Sequence, residues 1–112
     1  MALYIQTRFP SDLLASIKNL IGQRRIETWS FDTDGDFTHE PEQWRNLAWL
    51  RPSLGNGELK FGIVGNQNNV MTKPVYGVYH GRFAEMILIH FDTQISEIRI
   101  SPGKVPGLDT FR

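Results

Sequence analysis

Five acidic side chains lie close together in the sequence and are the groups best suited to chemistry. Asp32, Asp34, Asp36, Glu40 and Glu42 fall within eleven residues that contain no lysine or arginine. Carboxylates at alternate positions of a tight turn can bind a hard cation. They can also bind a basic surface on another protein. This acidic segment is therefore the first candidate site.

A calcium loop of the EF-hand type does not fit the acidic segment in detail. Such a loop needs a glycine at its sixth position and a glutamate at its twelfth. Counted from Asp32, Gly35 comes too early and the twelfth residue is Gln43. A metal-dependent phosphodiester hydrolase with a different site geometry is kept as an alternative. Its ligand set would be Asp32, Asp34, Asp36 and His39.

An exposed tryptophan beside these carboxylates would complete a protein-recognition patch. Trp44 follows the acidic segment within a short polar stretch. Tryptophan is enriched among the residues that dominate protein–protein binding energy. The predicted partner-binding residues are Asp32, Asp34, Asp36, Glu40, Glu42 and Trp44.

A weaker candidate is an anion site formed by His80 and Arg82. The sequence places both near the start of the second predicted helix, where backbone N–H groups favour an anion. His90 shares a helical face with Phe83 and Met86, so we predict a hydrogen-bonded, partly buried histidine there. Structural or surface roles are the first expectation for all three histidines.

Composition excludes several classes of function. The absence of cysteine excludes disulfides, thiolate nucleophiles and cysteine-based metal sites. Twelve basic and twelve acidic residues give a net charge of zero, which disfavours nucleic acid as the main partner. Neither a glycine-rich phosphate loop nor a Ser–His–Asp pattern is readable, so no cofactor is predicted.

The sequence also predicts a compartment. Residues 1–8 lack the charged start and apolar run of a signal peptide. The most apolar run, Met86 to Phe91, is too short to span a bilayer. A chain without cysteine favours a reducing compartment. We therefore predict a cytoplasmic protein that has no membrane partner.

Two segments have helical periodicity. In the first, Ser11 is the expected N-cap and Gly22 the expected end. In the second, Thr72 is the expected cap, with Pro74 in the first turn. Residues 83–91 are apolar on almost every side, so this second helix is predicted to be central and well covered. Gly77 and Gly81 within it predict close packing against a strand or the other helix, with a dimer contact or a broken or late-starting helix as the alternatives.

Period-two alternation and turn residues predict the strands. Residues 2–7 and the alternating Leu59, Phe61 and Ile63 are typical of strands. Asp34-Gly35 predicts a type I′ hairpin turn, and residues 54–57 predict a second hairpin. The expected order is β-α-β-β-β-β-α-β, in an α+β two-layer sandwich of a mostly antiparallel sheet and two helices. Residues 1–112 are predicted to form a single domain that is irregular from about residue 102.

These observations favour a non-enzymatic domain that binds another protein. A small inhibitor, antitoxin or immunity-type protein would dock the acidic hairpin against a basic partner such as a nuclease toxin. The metal-dependent hydrolase is the first alternative. The second is a structural module that forms a homodimer through its second helix or an open sheet edge.

Overall fold

The computed structural model describes residues 2–112. It has six strands and two α-helices in the predicted order, so the α+β class and the element order are confirmed. A 3-10 turn, Asp92–Gln94, follows the second helix. The elements are β1 (Ala2–Gln6), α1 (Pro10–Gly22), β2 (Trp29–Phe31), β3 (Phe37–His39), β4 (Ala48–Gly55), β5 (Glu58–Gly65), α2 (Lys73–Phe91) and β6 (Glu97–Ser101).

The strands form one sheet in the order β2-β3-β4-β5-β1-β6, and each neighbouring pair is antiparallel. β4 and β5 form the long predicted hairpin, in register from Ala48 opposite Gly65 to Gly55 opposite Glu58. β1 then lies between β5 and β6, with Leu3 opposite both Phe61 and Ile100. The first strand of the chain is thus an interior strand of the sheet.

Both helices cover the same face of the sheet, as a two-layer sandwich requires. Alternate strand residues such as Leu3, Phe61 and Ile63 point to this face and are fully buried. Leu13 of α1 and Phe83 of α2 join them in a single hydrophobic cluster. The apolar faces of the strands and of the two helices therefore pack together in one core.

Phe83 lies at the centre of this core. Its ring centroid is 5.0 Å from that of Trp29, 5.6 Å from that of Phe37 and 4.6 Å from that of Phe61. Two of these contacts, those with Trp29 and Phe37, are edge-to-face, the geometry that aromatic quadrupoles prefer. One side chain of α2 thereby packs against β2, β3 and β5.

The cap of α1 differs from the prediction, whereas its end does not. The helix begins at Pro10, and no side chain caps it, so the Ser11 cap was wrong. The other end agrees with the prediction, because Gly22 is the last residue of the helix, and Arg24 beyond it takes the left-handed conformation with φ +60°. Arg25 N–H donates to the Leu20 carbonyl, as in a Schellman motif. A non-glycine residue at this left-handed position costs about 1 kcal/mol.

The start of α2 agrees with the prediction, but the helix is not covered on all sides as predicted. The Thr72 hydroxyl accepts a hydrogen bond from Val75 N–H, which confirms the cap. Leu88 and Ile89, however, are 55% and 68% exposed, because the sheet covers only one side of the helix. Neither helix in the described part of the chain combines the length and apolar character needed to cross a bilayer.

The two glycines of α2 lie on its open side. A Cβ added at Gly77 or Gly81 would have no atom within 4 Å, apart from its own neighbourhood in the helix. The close packing predicted for them is therefore absent within residues 2–112. Both positions can accept alanine without steric conflict.

Residues 102–112 form no further helix or strand, but they pack closely against β5. Asp109 Oδ1 accepts a hydrogen bond from Ile63 N–H at 2.9 Å, and Thr110 forms a parallel bridge with Val64. A Cβ added at Gly62 would lie 2.0 Å from the carbonyl oxygen of Leu108. β1 pairs with β5 only as far as Phe61, so this segment, residues 102–112, covers the part of the β5 edge that β1 leaves open.

Candidate functional site

The acidic hairpin turn is a five-residue loop, residues 32–36, between β2 and β3. Asp32 N–H donates to the Asp36 carbonyl, and Asp32 Oδ1 accepts from the N–H groups of Asp34 and Asp36 at 3.0 and 2.9 Å. Within the loop only Gly35 has a positive φ, +83°. A type I′ turn needs two such residues, so the predicted turn type was wrong, although the hairpin is present.

The loop brings three carboxylates together. Oxygen atoms of Asp32, Asp34 and Asp36 all lie within 4.8 Å of one another. Asp36 is only 4% exposed, and Arg51 of β4 binds it with Nη2–Oδ2 at 2.8 Å and Nε–Oδ1 at 3.2 Å. The hydrogen bond and charge of Asp36 raise the pKa of Arg51 above its ordinary value. One of the three converging carboxylates is therefore already neutralised by a structural ion pair.

A second cation and an aromatic ring adjoin the loop. Lys18 of α1 lies beside Gly35, and its Nζ is 5.6 Å from the ring centroid of Phe31. Phe31 is 38% exposed, and its ring centroid is 5.9 Å from that of Phe37. Residues 31–34 of the hairpin are exposed, and we call the aromatic and acidic residues among them, Phe31, Asp32 and Asp34, the hairpin tip.

The other predicted partner-binding residues lie elsewhere. Glu40 and Glu42 follow the opposite end of β3, and Glu40 accepts a hydrogen bond from Ser30 Oγ at 2.5 Å. Trp44 is half-buried against the core, and its carbonyl accepts from Tyr79 Oη at 2.6 Å. The structure therefore divides the predicted set into two groups, and Trp44 is not the exposed aromatic residue that the patch required.

His39 is also separated from the aspartates, because it occupies the other end of β3. Its ring is 5% exposed and lies 4.5 Å from that of Trp29, centroid to centroid. Nδ1 is 2.9 Å from the Thr28 carbonyl, which can only accept, so Nδ1 carries the proton. Burial, and next the charge of Arg82, lower the pKa of His39 below 6.5. The predicted four-residue metal set is not assembled.

The predicted anion pair does not converge either. His80 is the eighth residue of α2, 1% exposed, and its Nδ1 lies 2.8 Å from the Tyr76 carbonyl. Arg82 is exposed and pairs with Glu85 at 3.2 Å. Residues two apart on a helix do not share a face. His90, predicted to be partly buried, is exposed.

Arg82 instead lines a groove that no sequence motif predicts. The groove has a volume of about 330 Å³ and lies between the chain that leaves α1 and the second half of α2. Its polar lining includes Arg24, Arg25, His39 and Arg82. We call it the arginine groove. Its residues come from three distant parts of the chain, and only the pair Arg24-Arg25 marked it in the sequence.

The lowered pKa of His39 predicts how stability depends on pH. The unfolded chain binds a proton near pH 6.5, whereas the folded state binds it only at lower pH. The contribution of His39 is thus fully present above pH 6.5 and is lost as the pH falls toward the lowered pKa. We expect the free energy of unfolding, measured with urea from pH 5 to 8, to rise with pH below 6.5.

Replacement of His39 by Gln should make this rise shallower, by up to about 1.4 kcal/mol per pH unit. Equal slopes for H39Q and the unchanged protein would contradict the assignment of a buried neutral imidazole.

Comparison with protein-family models, with curated proteins and with solved structures gives no significant match. The hairpin tip and the arginine groove are therefore the two features from which a function can be inferred.

Proposed function

We propose that this domain is a non-enzymatic binding protein that recognises a basic surface on another protein through the hairpin tip. One observation carries the proposal: two exposed carboxylates stand on a loop whose conformation is already fixed. Asp32 accepts two backbone hydrogen bonds within the loop, and Asp36 is held by Arg51. A preorganised loop loses little conformational entropy on binding, so more of the interaction energy appears as affinity.

The composition of the hairpin tip supports this choice. Phe31 offers a partly exposed aromatic ring close in sequence to Asp32 and Asp34. Aromatic anchors supply much of the energy of protein interfaces, and charges around them raise the association rate and exclude wrong partners. A partner with an apolar depression rimmed by lysine or arginine would be complementary to this surface.

Three of the buried ionisable side chains, those of Asp36, His80 and Asp109, give little support to an enzyme. The carboxylate of Asp36 is bound to Arg51, and that of Asp109 accepts hydrogen bonds from Ile63 N–H and Val105 N–H. His80 Nδ1 is bound within its own helix. Groups occupied in this way stabilise the fold and are not free to transfer protons.

A narrower form of the proposal is an inhibitor, antitoxin or immunity-type protein that acts in the cytoplasm. A nuclease is a suitable target class, because its substrate-binding face must be basic to attract phosphates. Docking of the hairpin tip on that face would compete with nucleic acid. Complementary charge would also make association fast and sensitive to salt.

Neutralising the hairpin tip should weaken partner binding without unfolding the domain. In the double variant Asp32→Asn, Asp34→Asn, the amide oxygen introduced at position 32 can still accept the two loop hydrogen bonds. We expect the dissociation constant for a partner isolated by pull-down from native lysate to rise at least about tenfold, mainly through slower association. Surface plasmon resonance at two salt concentrations measures both rates.

The matched control changes the net charge equally but at the far side of the sheet. Asp92 and Glu97 are exposed and lie before or in β6, which is at the opposite edge of the sheet from β2. The double variant Asp92→Asn, Glu97→Gln should therefore leave the affinity unchanged. If the two double variants weaken binding equally, the hairpin tip is not the recognition surface.

The metal-dependent alternative predicts a different result with the same proteins. The converging carboxylates favour it, but a cation would have to compete with Arg51 for Asp36. We expect Ca²⁺, Mg²⁺ and Mn²⁺ to leave the melting temperature unchanged. A rise in the unchanged protein that is lost in the hairpin double variant would assign the tip to metal binding instead.

A further inference from the structure

We propose that the arginine groove binds the phosphate group of a small phosphate monoester. Arg24, Arg25 and Arg82 would hold the phosphate oxygens, while His39 Nε2 accepts a hydrogen bond from the phosphate hydroxyl. The groove and the hairpin tip lie at opposite ends of β3, so this site is additional to the proposed protein-binding surface.

The charges that face the groove favour an anion. Its lining has three guanidinium groups but only two carboxylates, those of Glu27 and Glu85. Arg24 and Arg25 form no ion pair with any other residue in the range 2–112. Arg82 is paired only with Glu85, and both side chains are more than half exposed, so this pair is weak and easily rearranged. Guanidinium groups match phosphate oxygens in geometry as well as in charge.

His39 supplies the observation that points to a ligand. The side chain is only 5% exposed, yet Nε2 has no hydrogen-bond partner among the described residues. Two side-chain atoms of the described chain are fully enclosed and have no partner, Trp29 Nε1 and Ser53 Oγ. His39 Nε2 is not among them, so it is not fully enclosed. Nε2 is therefore reached from the groove that His39 lines. Because Nδ1 donates to the Thr28 carbonyl, Nε2 holds a lone pair that can accept a hydrogen bond.

The conformation of Arg24 fits the same role. It occupies the left-handed position after α1, where glycine is the favoured residue. Arginine is therefore less stable there than glycine would be, but it places a guanidinium at the groove. Replacement of Arg24 by glycine should therefore raise the stability of the domain and at the same time weaken phosphate binding.

The remaining wall of the groove defines the rest of the ligand. Ile26, Met86 and Ile89 provide apolar surface beside the arginines. A volume of about 330 Å³ matches the lower end of small-molecule sites. The ligand class is thus a phosphate monoester with a small apolar body, for which phenyl phosphate is a suitable probe.

Phenyl phosphate titrated into the full chain, followed by isothermal calorimetry and by amide chemical shifts, tests the site. The titration is made near pH 6, the second pKa of a phosphate monoester, where about half of the probe still carries one proton. We expect saturable binding with shifts centred on residues 24–28, 39 and 82–90. R24G should weaken binding at least fivefold while raising the melting temperature by about 4 °C. R25Q and H39Q should also weaken it, whereas R45Q, which removes an exposed arginine outside the groove, should not.

Competing anions identify the chemistry. Sulfate has no proton to donate at this pH, so phenyl sulfate should bind at least fivefold more weakly than phenyl phosphate. Equal affinity for the two would overturn the role of His39. Tighter binding of benzoate would overturn the phosphate assignment, and so would affinity that is unchanged in R24G and R25Q.

Discussion

Alanine in place of Gly62 is expected to lower the free energy of unfolding by about 3 kcal/mol. The added Cβ would lie 2.0 Å from the Leu108 carbonyl oxygen and 2.5 Å from its carbon, far inside van der Waals contact. Both are backbone atoms, and the hydrogen bonds that join Ile63 to Asp109 and Thr110 fix this segment against β5. Overpacking usually destabilises a protein by about 1–3 kcal/mol. We expect a loss near the upper end of this range, because no side-chain rotation can relieve the conflict.

Urea denaturation of G62A beside G77A measures the effect against a matched control. Gly77 is a helical glycine with open space around it, so alanine there should stabilise the protein by about 0.5–1 kcal/mol. The same chemical change thus has opposite signs at the two sites. A G62A protein as stable as the unchanged one would show that residues 102–112 do not pack on β5 as described.

A double-mutant cycle isolates the contact. In a chain that ends at residue 104 the Leu108 carbonyl is absent, so G62A should cost much less there than in the full chain. An equal cost in both backgrounds would place the conflict within the sheet and not between β5 and the segment 102–112.

Truncation of Phe83 to alanine should have a still larger effect, about 4 kcal/mol. The side chain is fully buried and contacts Trp29, Phe37 and Phe61, so its removal leaves a cavity lined by rings from three strands. Large aromatic rings cannot fill such a space by small rotations, because their positions are fixed by the strands. Much of a typical domain stability of about 5–15 kcal/mol would be lost.

Thermal unfolding measures this change, and so does tryptophan fluorescence, to which Trp29 contributes together with Trp44 and Trp49. Phe9, which is 65% exposed, gives the control, and F9A should alter stability by less than about 0.5 kcal/mol. Loss of less than about 1 kcal/mol in F83A would contradict the central position of Phe83 in the core.

The fold was predictable because its signals are local. Leu59, Phe61 and Ile63 alternate strictly, and all three are fully buried on the helix-facing side of β5. Thr72 and Pro74 marked the start of α2 to within one residue. Such patterns record which side of an element is apolar, and this information is sufficient to order strands and helices into layers.

Features that depend on distant partners were not predictable. Leu88 and Ile89 have apolar side chains of the kind that is usually buried, but both are exposed. The sequence does not show that one side of α2 is left uncovered. Gly62 likewise gives no local sign that Leu108 will pack against its Cα. In both cases the deciding contact, or its absence, involves residues far away in the chain.

The candidate sites follow the same division. The carboxylates of the hairpin were evident from spacing, but the ion pair between Asp36 and Arg51 joins residues fifteen apart and changes their electrostatics. The arginine groove joins Arg24, His39 and Arg82, which have no shared motif. Sequence patterns therefore identified the charged segment, and the three-dimensional fold was needed to decide which charges remain available.

The interior position of β1 has a consequence for the rate of folding. Residues near the start of the chain must wait for partners that follow far behind, since Leu3 pairs with Phe61 and with Ile100. Closing such long loops costs entropy before the contacts compensate for it, and proteins rich in distant pairings fold in milliseconds to seconds. During synthesis β1 emerges before the other five strands and is among the last to be fully paired. Until β6 arrives, one edge of β1 stays open to other chains.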